Sequence, residues 1–337
     1  MKILFSGHHN PHYFTITEYL ERAIQSLGHE LVIFEDRQHT IPGRIRKRLR
    51  FLDRYDLRII NRRMLSQAAS AKPDIAVVTG GHRISSETIK KLKNDGIVCI
   101  LWTIDAPRDF QPILDVAPFY DHIFCQGTEA IELLDKAGIR GAQWLPMACD
   151  PDYHHPVECT SEEKKKYGSD IVFVGTHYPE RAALFEKMAD LDIAIWGPGW
   201  NAPDSNSPLR RCVRGSHTTP GEWLKIYSTS KIILATHYHD PQNRFPVYQA
   251  SPRVFEALAC RAFVLCDDQR DVFPLFKDGE DLVRFFDASD LINKAKHYLA
   301  HPEERNEIAG RGNRNVLKNH TYVHRVKELL SKIGNRA

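Results

Sequence analysis

Residues 232–268 read IILATHYHDPQNRFPVYQASPRVFEALACRAFVLCDD, and the order of their parts decides the fold. A short apolar run, Ile232 to Ala235, leads through a polar loop to a helix opened by Ser251-Pro252, then to a second apolar run, Ala262 to Cys266. Serine before a proline at the first helical position, with Glu256 soon after, is a helix-start signal. Such a start leaves free backbone N–H groups and the positive end of a helix dipole facing the preceding loop, where a phosphate binds well. Arg244 in the loop and Arg253 in the first turn would add fixed positive charge there.

The same alternation runs outward in both directions. Lys2 to Phe5 reads as a strand, the segment from Ser6 through His8 and His9 as a loop, Thr15 to Leu27 as a helix and Leu31 to Phe34 as a second strand. That is the opening of a parallel α/β sheet, and no G-x-G-x-x-G marks its loop as a dinucleotide fingerprint. Further strands are predicted at 74–79, 97–103, 122–125 and 143–147, giving about six in a first domain. Two of their tips carry Gly80-Gly81-His82 and Ile104-Asp105. Ligands of open α/β sheets bind beyond the carboxyl ends of strands, so these tips mark a site.

Residues 149–168 hold two prolines, a charge run and no apolar periodicity, and read as a linker. Strands at 170–174 and 193–196 restart the alternation, with a helix at 179–188 between them. A long Gly- and Pro-rich loop over 197–220 follows, then the opening stretch, a strand at 282–285 and three closing helices. The expected organisation is a first domain over 1–150, a linker over 151–168, a second domain over 169–320 and a final helix, 321–337, packing back on the first domain.

At 337 residues, two domains are the natural division. With 42% hydrophobic and 26% charged residues the composition is that of an ordinary globular protein, and a net charge of +3 is too small to imply a polyanion partner for the whole surface. The seven cysteines are odd in number, lack a C-x-x-C pair and lie partly in apolar runs, which fits a reducing cytoplasm. No apolar run is long enough for a membrane span or an export signal. Residues 37–63 are the biased segment: nine arginines and Lys47 against Asp53 and Asp56 leave a local charge of about +8. They suit one or two amphipathic helices, either a solvated face or a patch for an anionic acceptor or a peripheral contact with an anionic membrane surface.

From Asp170-Ile171-Val172-Phe173-Val174-Gly175 and Arg181 onward the chain resembles the CgeB-like, or spore maturation protein-like, glycosyltransferases. Ile195-Trp196-Gly197 with Trp200, Ser251 to Cys260, Phe276-x-x-Gly279-Glu280 and His320-Thr321-Tyr322-x-x-Arg325 carry the resemblance through the second domain. In the first it rests on Trp102-x-x-Asp105-x-Pro107 and Leu145-Pro146-x-Ala148. The resemblance implies a GT-B fold, two Rossmann-like domains facing across a cleft. Two positions depart from it. Tyr248 stands where many retaining GT-B enzymes carry the first glutamate of Glu-x7-Glu, and Arg261 stands where a glycine usually follows the helix.

The implied activity is metal-independent transfer of a sugar from a nucleotide-diphosphate sugar, with a UDP-sugar the expected donor, to a hydroxyl on a glycan, protein, lipid-linked sugar or modified nucleic acid. A nucleotide-sugar epimerase of the same fold and a non-catalytic sugar-nucleotide or polymer-binding protein are the alternatives. The resemblance implies a donor site of Arg181, Trp196, Gly197, Arg244, Ser251, Arg253 and Glu256, the arginines for the diphosphate and Glu256 for the ribose. The bland readings are surface ion pairs for the arginines and a dipole-favoured carboxylate for Glu256. A base that deprotonates the acceptor is sought on the first domain's strand tips, at Asp105, His82, His8 or His9, although Asp105 also suits a turn or cap. Asp150-Pro151-Asp152 reads as a turn, and the histidine pairs lack metal-ligand spacing, so no metal site is expected.

Overall fold

The computed structural model describes all residues except 11–13, 47, 105–109, 201–205, 241, 243 and 334–337. The chain forms two compact units, one of Met1–Pro146 with Phe245–Val247 and Val326–Ala337, the other of Met147–Arg244 with Tyr248–Arg325.

Unit 1 is built on a six-stranded parallel sheet of β1 (Lys2–Gly7), β2 (Glu30–Glu35), β3 (Ile75–Thr79), β4 (Val98–Thr103), β5 (His122–Cys125) and β6 (Gln143–Trp144). Their order is β2-β1-β3-β4-β5-β6. Residues buried on both sides read as unbroken apolar runs: every residue of β3, IAVVT, is buried. The helices are α1 (Ile16–Ser26), α2 (Gly43–Arg46), α3 (Arg50–Ala71), α4 (Ser86–Asn94), α5 (Gln111–Val116) and α6 (Thr128–Lys136). Thr15 starts α1 with a full capping box to Glu18, which fixes where the loop after β1 ends. The strand expected over 143–147 stops at Trp144 because Pro146 has no N–H to continue the ladder.

Unit 2 repeats the plan with β7 (Ile171–Val174), β8 (Ile193–Trp196), β9 (Val213–Gly215), β10 (Ile232–Ala235), β11 (Val264–Asp267) and β12 (Val283–Phe285). Their order is β12-β11-β10-β7-β8-β9, again all parallel. The helices are α7 (Ser161–Tyr167), α8 (Pro179–Glu186), α9 (Pro220–Thr229), α10 (Pro252–Ala259), α11 (Ala288–Ala300) and α12 (Pro302–Asn319), followed by α13 (Tyr322–Ser331). The stretch read as a linker thus contains a helix, α7, capped by Thr160 and Glu163. Only Tyr167 of α7 is buried, so the helix has no apolar period to reveal it. The loop expected over 197–220 likewise contains β9 and a 3-10 turn, Pro208–Arg211.

In each sheet the strand order reverses once, between β1 and β3 in unit 1 and between β7 and β10 in unit 2. The crevice beyond the carboxyl ends at such a reversal is where open α/β sheets hold ligands. In unit 2 the segment that follows α12 is bonded to the segment that starts at Met147. Arg325 is 4% exposed and donates from Nε and Nη2 to the Met147 carbonyl at 3.3 and 3.1 Å, while Cys149 and His320 pair their backbones at 3.0 Å.

Candidate functional site

In unit 2 the two strands at the reversal end at Val174 and Ala235, and their continuations Gly175-Thr176 and Thr236-His237 frame the site. His237 organises it. Its backbone N–H donates to Asp267 Oδ2 at 2.7 Å, its ring Nδ1 lies 2.5 Å from Asp267 Oδ1, and its Nε2 accepts the Ser251 N–H at 2.9 Å. Accepting that bond places the lone pair on Nε2 and the proton on Nδ1. One imidazole therefore ties the ends of β10 and β11 to the N-cap of α10, and Ser251 caps the helix by accepting the Arg253 N–H. Burial opposes ionisation of Asp267, but His237 and His239 outweigh it and hold the carboxylate well below its ordinary range.

His237, Cys266 and Asp267 bring three possible metal-ligand atoms within 4.8 Å of one another. Their chemistry argues for a hydrogen-bonded strut instead. Both ring nitrogens are committed, and complete burial pushes the Cys266 thiol well above its usual range, away from the thiolate a metal needs.

Two guanidiniums converge on this frame. Arg181, on α8, donates from Nε to Thr236 Oγ1 at 2.8 Å, from Nη1 to the Thr176 carbonyl at 2.5 Å and from Nη2 to the Thr236 carbonyl at 2.8 Å. Arg253, in the first turn of α10, donates from Nε to the Val174 carbonyl at 2.7 Å and from Nη1 to the Thr236 carbonyl at 3.3 Å. The Phe173 ring lies under both, 4.6 Å from Arg181 and 4.8 Å from Arg253. Among the described residues neither forms an ion pair with a carboxylate; carbonyl oxygens and the Thr236 hydroxyl hold them. Burial, then the like charge of Arg253, pulls Arg181 down to about 9. Asp267 and Glu180 act on Arg181 only through their fields, so the two guanidiniums share the frame at the start of α10 without a direct carboxylate contact among the described residues.

Glycines make room for it. A Cβ on Gly175 would lie 2.4 Å from Arg253 Nη2, and a Cβ on Gly197, whose φ is +135°, would lie 2.2 Å from the Gly175 carbonyl oxygen. Gly197→Ala combines a forbidden backbone angle with a clash against backbone, and should cost about 3 kcal/mol of stability in urea unfolding.

Glu256 is one turn beyond Arg253. Its carboxylate is partly buried and makes no hydrogen bond or ion pair among the described residues. Burial raises its pKa to about 7, with the Arg253 charge pulling the other way. An uncompensated buried carboxyl is costly, and a ligand hydroxyl would relieve it.

The other expected donor residues are placed differently. Arg244 donates to Asp240 from its backbone and from Nη2, at 2.6 and 3.0 Å, so its guanidinium is matched locally. Trp196 is buried with its ring 5.9 Å from that of Tyr167 and its indole N–H without a partner among the described residues, and it contributes the carbonyl that receives the Gly175 N–H at 2.8 Å. Tyr248, at the position of the missing glutamate, has the Arg270 guanidinium 4.3 Å above its ring.

In unit 1, a cavity of about 190 Å3 opens at the reversal between β1 and β3. His8, Thr17, Asp36, Arg37, Thr79 and His82 are among its lining residues. The His8 backbone N–H donates to Thr17 Oγ1 at 3.0 Å, and its Nδ1 lies 3.3 Å from Glu35 Oε1, an arrangement that leaves Nε2 for another partner. His9 is a different case. Its ring nitrogens each lie 2.9 Å from a carboxylate, Nδ1 from Glu35 and Nε2 from Glu21. Burial opposes the charged ring, but these carboxylates outweigh it and raise its pKa, so His9 is a clamp between α1 and β2 with no lone pair for an acceptor proton. Asp105 lies outside the described residues. Sequence reasoning missed Asp36, Arg37 and Thr79, and it set His237 aside among the histidine pairs; its place directly after a buried strand was the available signal.

Residues 181–331 match the family described as glycosyl transferase-like. Spore protein CgeB of Bacillus subtilis strain 168 is 24% identical over 256 residues, covering 73% of this chain and 78% of that protein. The chain is similar to CgeB over that span. Among solved structures, sucrose-phosphate synthase of Thermosynechococcus elongatus superposes with a TM-score of 0.71 at 12% identity, with 100% of both chains covered. Anabaena Alr3699/HepE in complex with UDP-glucose gives 0.66 at 9% identity, with 99% of this chain and 100% of that one covered. Together with the two six-stranded parallel sheets, these place the chain in the GT-B fold. No helix among the described residues is long and apolar enough to cross a membrane.

Proposed function

We propose that this protein transfers a sugar from a nucleotide-diphosphate sugar, a UDP-sugar, to a hydroxyl acceptor. The observation that carries the reading is the pair of guanidiniums, Arg181 and Arg253, both bonded to the Thr236 carbonyl and neither in an ion pair among the described residues. Glycosyl transfer leaves a diphosphate whose growing negative charge must be stabilised, and two fixed arginines with a helix dipole supply that without a bound metal. Glu256, half-buried and unsatisfied, suits the ribose hydroxyls. Its position relative to Arg253 matches a diphosphate followed by its nucleoside along one helix. The HepE structure, of the same fold, holds UDP-glucose, which supports a uridine donor here.

Unit 1 supplies the base in this reading. His8 lines the cavity at the strand tips, with Glu35 orienting its Nδ1 and Nε2 left to take the acceptor proton. Asp105 is the second candidate. His8→Gln should lower turnover about a hundredfold while leaving UDP affinity unchanged, because the donor residues all lie in the other unit. An unchanged rate would move the role to Asp105. The seven free cysteines suit a cytoplasmic enzyme.

A panel of nucleotide sugars tested for thermal stabilisation checks the donor. The UDP-sugars should raise the melting temperature above the values seen with adenine, guanine and thymine counterparts. If no nucleotide sugar at millimolar concentration stabilises the protein, the transferase reading fails. Conversion of the donor to its epimer without any acceptor would favour the epimerase alternative.

A further inference from the structure

Beyond Arg37, the arginine-rich segment is absorbed by neither site. Its inner side is fixed. Asp56, fully buried, accepts the backbone N–H groups of Thr40 and Ile41 at 2.9 and 3.2 Å and holds the His39 ring at 2.5 Å, and Arg83 donates to the other nitrogen of His39 at 3.0 Å. Ile60, Met64 and Ala68 continue that inner stripe of α3 into the core of unit 1. The outer side is left to solvent, and it is not the polar face such a helix should show. Ile45 is 50% exposed, Leu49 44%, Phe51 65% and Tyr55 55%.

Around them Arg44, Arg48, Arg54, Arg58 and Arg62 are all exposed, and none forms an ion pair or hydrogen bond among the described residues. Arg46, by contrast, is paired, 2.9 Å from Asp53 and 3.9 Å from Asp56. Phe51, Tyr55, Arg58 and Arg62 fall on one stripe of α3 at i, i+4, i+7 and i+11, with Arg54 beside it. Large apolar side chains grouped on a surface mark an interaction site, and unpaired arginines interleaved with them select a partner that is both anionic and able to bury hydrocarbon.

We propose that residues 44–62 dock the protein on an anionic lipid surface. Phe51 and Tyr55 enter the headgroup boundary with Ile45 and Leu49, and the five arginines engage lipid phosphates. A nucleic acid would use the arginines and could stack on Phe51 and Tyr55, but it offers nothing to Ile45 and Leu49. A face built only for solvated charge would carry none of the four.

The test is cosedimentation of the full chain with vesicles of phosphatidylglycerol and phosphatidylcholine, and with phosphatidylcholine alone. The mixed vesicles should bring the protein down at low salt and the neutral ones should not. Removing arginines in Arg54→Gln and Arg58→Gln should weaken binding about fivefold each. The double variant Phe51→Ser with Tyr55→Ser should weaken it at least tenfold with the charge untouched. Both changes are on exposed positions, and an unaltered circular dichroism spectrum would show that the fold is intact. Failure to sediment with mixed vesicles overturns the proposal. So does vesicle binding indifferent to Phe51 and Tyr55, or tight binding to single-stranded nucleic acid in place of vesicles. A concentration-dependent dimer dissolved by the Phe51 and Tyr55 changes would assign the patch to a second copy of the chain and equally overturn it.

Discussion

Arg253→Ala is expected to lower turnover of the donor by about a hundred- to a thousandfold, the loss found when one fixed donor to a developing negative charge is removed. The residue earns that expectation by its position. Its backbone N–H lies in the first turn of α10, its guanidinium reaches the tips of both strands at the reversal, and Gly175 is kept free of a side chain where Nη2 lies. Arg253→Lys should recover little, because a single ammonium cannot hold the Val174 and Thr236 carbonyls and present a second edge to a phosphate. Arg181→Ala should also weaken the donor, but with a stability cost that Arg253→Ala lacks. Arg181 is 6% exposed and its three bonds hold the Thr176 and Thr236 turns. Comparing melting temperatures with donor kinetics separates the two roles.

The second large effect is expected at Glu256. Its carboxyl is raised from 4.5 to about 7 by burial. An acid whose folded pKa lies above its unfolded one binds its proton more tightly when folded. Its contribution is therefore fully present below about pH 4.5, and it is lost as pH rises toward 7. Ionised Glu256 should cost about 2 kcal/mol above that range, allowing for its partial exposure. Glu256→Gln should thus leave stability unchanged at pH 4 and raise it at pH 8, measured by urea unfolding at the two values. The same change should weaken UDP binding about tenfold, since an amide is a poorer acceptor for ribose hydroxyls than a carboxylate. A variant more stable and less able to bind would show that the site tolerates an unfavourable carboxylate for its ligand. Equal stability of both proteins at pH 8 would contradict this account of Glu256.

Much of the fold was legible because buried parallel strands announce themselves. Ile193 to Trp196 and Ile232 to Ala235 match their observed bounds residue for residue. Ser251-Pro252 marked α10 because its cap is written in local sequence. What escaped was structure without an apolar signature. Helix α7 buries one residue, and β9 is three half-exposed residues in a run of glycines and prolines. For the site, Arg181, Ser251, Arg253 and Glu256 could be named from the helix start and the family pattern, and the fold draws them onto one frame. Arg244 could not be sorted the same way, because nothing in a sequence says that a nearby aspartate, Asp240, will fold back and take its charge. His237 was obscured by its neighbours: read with His239 it suggests a metal, whereas its work is to accept one backbone N–H from Ser251, fourteen residues along the chain. His8 and His9, adjacent in sequence, diverge for a similar reason, since Glu21 arrives only when α1 packs against β2's end.

The central claim is that Arg181 and Arg253 together form the diphosphate site, and calorimetric titration of UDP into the full chain tests it most directly. The wild type should bind one UDP per chain, and Arg181→Ala with Arg253→Ala should abolish detectable binding while circular dichroism shows the fold retained. Undiminished UDP binding by that folded double variant would contradict the claim.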